Sequence, residues 1–106
     1  MSDVPDLIRA LRLIDQKALA VILEPRSEDQ REGLCALIRE YRPLLAAEHP
    51  PGDAGMWRKK ALGVGEEILA VSVALRGKAD RNRLGLMVSY VRTMRSFIAK
   101  LLSATA

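Results

Sequence analysis

Few side chains in this chain are of types that could act on a substrate, and their spacing limits what they can do. There is one cysteine, Cys35, and one histidine, His49. A reactive thiolate needs a base or a cation to lower its pKa, and no His or Asp is placed by sequence to serve Cys35. It reads as a small buried hydrophobe. His49 falls in the run Glu48 to Gly55, which holds two prolines and two glycines, and only its neighbour Glu48 could join it on a metal. A surface or loop-packing role follows for His49. Glu66 and Glu67 are adjacent, so on a helix they point in different directions and form no acid–base pair. One of them is placed to bridge to an arginine of the last helix. Gly63-Val64-Gly65 lacks the preceding strand and the third glycine of a dinucleotide fingerprint. No Glu-x-x-His pair, nucleophile–base arrangement or phosphate loop occurs either. The expectation is a protein that is not an enzyme, with no cofactor, no metal and no small-molecule substrate.

The remaining chemistry is electrostatic. Residues 1–53 hold seven Lys or Arg against ten Asp or Glu, a net of −3, while residues 54–106 hold ten against three, a net of +7. A one-sided charge of this kind attracts phosphate backbones or an acidic protein surface. The cations expected to carry that role are Arg58, Lys59 and Lys60, which surround Trp57, and Arg81, Arg83, Arg92 and Arg95 of the last helical stretch. Trp57 either offers a stacking surface beside those cations or pins the preceding loop to the protein. The competing expectation is that the basic half is a solvated face, neutralised by the acidic half.

Four helical segments must position these residues. At 106 residues, with 49% hydrophobic but only 4% aromatic content, the chain is expected to form one domain with an aliphatic core. No period-two run of β-branched or aromatic residues marks a strand. Helix 1, about residues 4–23, starts at Ser2 or Asp3 with Pro5 in its first turn and carries the seam Val4, Leu7, Leu11, Ile14, Ala18 and Val21. Glu24-Pro25 ends it. Helix 2, about 28–47, opens with the capping box Ser27 to Gln30 and buries Leu34, Leu37, Ile38, Tyr41, Leu44 and Leu45. Pro43 within it predicts a kink or a break. Helix 3, about 56–76, ends at Gly77, and Gly63 and Gly65 are expected to admit another helix at close range. Its stretch Ile68 to Leu75 is apolar on nearly every side, so Ile68, Leu69, Val71, Val73 and Leu75 are expected to meet a protein partner or a second copy. Helix 4, about 81–102, is capped by Asp80 and followed by a frayed end; its stripe is Leu84, Met87, Val88, Val91, Met94, Ile98, Leu101 and Leu102, opposite a wholly basic polar face. The architecture implied is all-α, an up-down-up-down antiparallel four-helix bundle. The acidic start MSDVPDL is unlike a signal peptide, and no uncharged apolar stretch nears the ~20 residues of a membrane span. No membrane role and a cytoplasmic location are expected.

Two family patterns can be compared. Leu11-Arg12 and Ile14-Asp15 are similar to the first helix of the all-helical chorismate mutases, but that family spaces the two pairs one residue further apart and needs a lysine and further arginines on later helices, which the sequence does not place. Residues 38–102 carry Tyr41-Arg42-Pro43-Leu44-Leu45, the turn His49-Pro50-Pro51, Trp57, a glycine-bearing helix with Glu66-Glu67, Leu84, and Arg92-Thr93-Met94-Arg95 closing on Leu101. In that order these resemble the bacterial four-helix-bundle family of ribosomal intervening-sequence proteins and diversity-generating-retroelement accessory variability determinants. The chain departs from that family by an extra helix at its front and by stopping after the arginine-bearing helix. The resemblance implies a basic, oligomeric bundle that binds RNA and a polymerase partner, with Arg92 and Arg95 on its working surface. Two roles are therefore expected: a nucleic-acid accessory protein, or a protein-interaction adaptor, regulator or secretion chaperone without a nucleic-acid role.

Overall fold

The computed structural model describes residues 4–47 and 52–105, and among these the secondary structure is entirely helical. The helices are α1 (Val4–Leu23), α2 (Glu28–Ala46), α3 (Asp53–Gly77) and α4 (Arg81–Thr105). Each packs on two others, in the ring α1–α2–α3–α4–α1, and the α3–α4 seam is the most extensive. The described part measures 43 × 20 × 19 Å, about the length of its longest helices by 1.5 Å per residue.

The apolar spacing of each helix accounts for this arrangement. Leu7, Leu11, Ile14, Ala18 and Val21 of α1 are buried, as are Leu34, Cys35, Ile38 and Leu45 of α2. Met87, Val91, Met94, Ile98 and Leu101 of α4 close the core. The stripes on α1 and α4 repeat in threes and fours, so each puts one face inward and leaves the opposite face wet. Helix α3 is different because its stretch from Ile68 to Leu75 is apolar on nearly every side. It buries Ile68, Leu69, Val71 and Leu75 within this core, flanked by α2 and α4.

Local signals set most boundaries. The Ser27 hydroxyl accepts from the Gln30 N–H at 3.3 Å, which is half of the expected capping box. The reciprocal half is not formed: the Gln30 carboxamide oxygen accepts instead from Lys17 Nζ of α1 at 3.2 Å, which ties the first two helices together. Asp80 caps α4 as expected, accepting from the Arg83 N–H at 2.8 Å. Two ends differ from expectation. Helix α3 begins at Asp53, three residues before residue 56, with Gly52 at φ 138° as its N-cap, a left-handed value that favours glycine. Helix α4 continues through residues 103–105. Pro43 lies inside α2, which runs on to Ala46 without a break. The proposed cap at Ser2 or Asp3, and His49 with its neighbours 48–51, lie outside the described residues.

Candidate nucleic-acid interface

The acid-free outer side of α4 is the distinctive surface of the molecule. Helix α4 contains no Asp or Glu in 25 residues. Arg81 and Arg92 are exposed on it, and eleven residues make close to three turns, so the two share a face roughly 16 Å apart. Ser89, Thr93, Ser96 and Lys100 are also exposed. Among the described residues, Arg81 and Arg92 meet no carboxylate within ion-pair distance. The Thr93 hydroxyl donates to the Ser89 carbonyl at 3.1 Å. The guanidinium groups with the Ser89 and Ser96 hydroxyls, on a helix without acids, suit phosphate oxygens, which accept from both kinds of donor.

At the far end of this face an aromatic–lysine cluster joins α4 to the first turns of α3. The Trp57 and Phe97 rings lie 5.9 Å apart, tilted by 35°. Lys100 Nζ of α4 sits over the Trp57 ring of α3 at 4.6 Å, and Lys60 Nζ of α3 sits over the Phe97 ring of α4 at 5.8 Å. The arrangement is crossed, each ring carrying the lysine of the other helix. It follows from sequence spacing, because Trp57 and Lys60, like Phe97 and Lys100, are three residues apart and share a helix face. Both rings are half-buried against the edge of the core. Trp57 therefore serves the α3–α4 seam while remaining partly open. Lys59 is exposed beside the cluster.

The other cations named from sequence are placed differently. Arg58 is a correction to the basic patch, since it is 4% exposed and its Nη2 donates to the backbone carbonyl of Leu44 in α2. Its position in the α3 helix turns it toward α2, where it satisfies a carbonyl near the end of that helix. Arg95 is directed to α1, with Nε donating to Asp15 Oδ1 at 2.8 Å, a bond that raises the arginine pKa. Arg83 folds back on its own turn, donating to the Lys78 carbonyl at 3.2 Å with Asp80 3.8 Å away. Of the seven expected residues, Lys59, Lys60, Arg81 and Arg92 stay outward, whereas Arg58, Arg83 and Arg95 are occupied within the chain. Lys100 and Phe97 join the site beyond the residues expected from sequence, and the three-residue step from Phe97 to Lys100 is the local signal that marks them.

The expected protein interface is also corrected. Ile68, Leu69, Val71 and Leu75 are buried by the chain's own helices, and only Val73, 59% exposed, remains available from that set. The inward-facing apolar residues of α3 are used by its two flanking helices, and Ala70, Val73 and Ala74 stay on the outer side. Of Glu66 and Glu67, one of which is expected to bridge to the last helix, Glu66 pairs instead with Arg42 of α2 at 2.8 Å. Of the two glycines, Gly65 is buried where an added Cβ would lie 3.3 Å from Ile38 Cγ2, so it does admit α2 closely; Gly63 is exposed, and a Cβ there would meet nothing within 4 Å.

Two further groups bear on chemistry. Cys35 is buried, and that burial pushes its thiol pKa up, away from the reactive thiolate. Among the described residues no cluster of three His, Cys, Asp or Glu could hold a metal ion, and no helix is long and apolar enough to cross a membrane.

Among the described residues, the fold and this surface together define an all-helical arrangement of four helices with an acid-free helix face ending in an aromatic–lysine cluster. No protein-family model, curated protein or solved structure matches the chain.

Proposed function

We propose that this protein is a non-catalytic accessory bundle of the cytoplasm that binds nucleic acid in a sequence-tolerant way through the outer face of α4 and the first turns of α3. The observation that carries this reading is the acid-free α4 helix, on which Arg81 and Arg92 stay exposed without a carboxylate while the hydroxyls of Ser89 and Ser96 share the outward side. Lys59, Lys60 and Lys100 extend the positive surface at one end. Contacts of this kind neutralise phosphates and release counterions, and they carry no base-specific information. An up-down-up-down course belongs to the same reading. It is supported by Glu32 near the start of α2 meeting Arg76 near the end of α3, and by Trp57 near the start of α3 meeting Phe97 and Lys100 late in α4. A bend of α2 at Pro43 is expected from the backbone bond that proline removes.

The test is fluorescence anisotropy with labelled DNA and RNA across a salt series. Binding should weaken steeply as salt rises, with a log–log slope proportional to the phosphates neutralised. Replacing Arg81 and Arg92 together by Gln should flatten that slope by roughly 0.9 per lost contact on duplex DNA and leave thermal stability nearly unchanged. Absence of binding at low salt and high protein concentration would remove this function.

A protein-partner reading has one separate observation in its favour. Leu13, Leu19 and Leu23 of α1 are 38%, 40% and 72% exposed, more than a solvated helix face requires. Self-association through this side predicts a concentration-dependent sedimentation coefficient that Leu19→Glu with Leu23→Glu would abolish.

A further inference from the structure

The aromatic–lysine cluster goes beyond general attraction to phosphate, and we propose that Trp57 is a stacking platform that makes the interface selective for single-stranded over double-stranded nucleic acid. The inference rests on the nucleic-acid reading above and assigns the substrate class of that same surface.

The argument begins with what holds the ring. Phe97 braces Trp57 at 5.9 Å with a tilt of 35°, so the indole is fixed by packing between α3 and α4. A fixed ring loses little conformational freedom when a base stacks on it. One face is covered by Lys100 Nζ, 4.6 Å from the ring centroid, at the end of a flexible side chain that helix packing does not fix. A cation over a half-exposed indole is held more weakly than a stacked nucleobase, because the ammonium keeps most of its hydration while the base buries an apolar face. A base can therefore take the ring face while Lys100 swings out to the phosphate beside that base. Lys60, 5.8 Å over Phe97, stands ready for the adjoining phosphate. The crossed arrangement thus sets a π-surface between two ammonium groups, the combination that single-strand grooves use.

Duplexes cannot use this feature. Their base faces are covered by neighbouring pairs, so a duplex meets only the lysines and arginines. Single-stranded DNA and RNA both present free base faces, and the cluster shows no group committed to reading a 2′-hydroxyl. The substrate class is the single strand of either sugar.

The experiment uses the full chain, in which Trp57 is the only tryptophan and reports directly on its own environment. Oligo(dT) and oligo(U) of about 15 nucleotides, within the span of single-strand sites, are compared with a duplex of equal length at one ionic strength. Both single strands are expected to quench Trp57 emission and to bind more tightly than the duplex. Trp57→Leu should lower single-strand affinity about 5- to 150-fold, the equivalent of ~1–3 kcal/mol per stacked base, and leave duplex affinity within about twofold. Trp57→Phe, which keeps a ring on Phe97, should recover part of the loss and guards against a trivial folding defect. Equal affinity for duplex and single strand without quenching would overturn the stacking platform and leave the phosphate-binding function standing. Equal weakening of both ligands by Trp57→Leu would overturn it too. Binding of neither ligand by the wild-type chain would overturn both.

Discussion

Along the α2–α3 seam, Arg42 faces Glu66 at 2.8 Å and Arg76 faces Glu32 at 3.0 Å, whereas on the outer side of α4 Arg81 and Arg92 meet no carboxylate among the described residues. The side chains are the same, and their neighbours differ. Helix α2 brings Glu32 to the seam and α3 brings Glu66, so each supplies an acid to the other's arginine. The last helix has none of its own, and the one acid that α1 lends it, Asp15, is taken by Arg95. An arginine thus becomes structural or available according to what the adjacent helix carries. Buried Arg58 is the extreme of the first kind, and exposed Arg92 represents the second.

Several substitutions would break or sharpen this contrast. The largest effect should come from the interior of α3. Ile68→Ala removes a fully buried side chain between α2 and α4 and should cost about 2–5 kcal/mol in chemical denaturation. An effect near zero would mean that the inner face of α3 is not packed into the core. Next comes the pair Arg58→Ala and Lys59→Ala, adjacent in sequence and opposite in placement. The first removes the donor to the Leu44 carbonyl and should destabilise by about 1–3 kcal/mol, while the second should change stability by less than ~0.5 kcal/mol and weaken nucleic-acid binding. Equal stability effects would erase the distinction between seam and face. A finer comparison lies one turn further along α3. Gly63→Ala should stabilise by up to ~1 kcal/mol, because nothing opposes a Cβ there and alanine is the better helix former. Gly65→Ala should lose that gain, since its Cβ presses on Ile38.

The smallest effect concerns pH. The Arg76 hydrogen bond holds the Glu32 carboxyl below its ordinary pKa. A depressed carboxylate contributes stability above the unfolded value, about 4.3, and loses it as pH falls through the lower folded value. The thermal midpoints of wild type and Glu32→Gln should therefore differ slightly at neutral pH and converge in acid. A gap that widened on acidification would contradict the assigned role of this pair.

The elements themselves were legible in the sequence because each depends on nearby residues. The three-and-four stripes of α1 and α4, the Ser27 and Asp80 caps and the stop at Pro25 all act within a turn or two of chain. The Gln30 half of the capping box does not form for the opposite reason: Lys17, on another helix, competes for the same oxygen at 3.2 Å. Helix α3 shows the limit most clearly. Its apolar stretch from Ile68 to Leu75 was visible, yet whether those residues face a partner or the chain's own helices depends on where α2 and α4 come to lie.

The sequence by itself determined four helices, an aliphatic core and the uneven charge, since these follow from residue type and local spacing. Only the tertiary structure decided how that charge is distributed. It turned Arg58 inward and gave Arg95 to Asp15, and it left Arg81 and Arg92 exposed. It also brought Trp57 beneath Lys100, forty-three positions later in the chain. Coulomb attraction and stacking act through space over a few ångströms, so packing of distant helices decides which charges meet and which stay available.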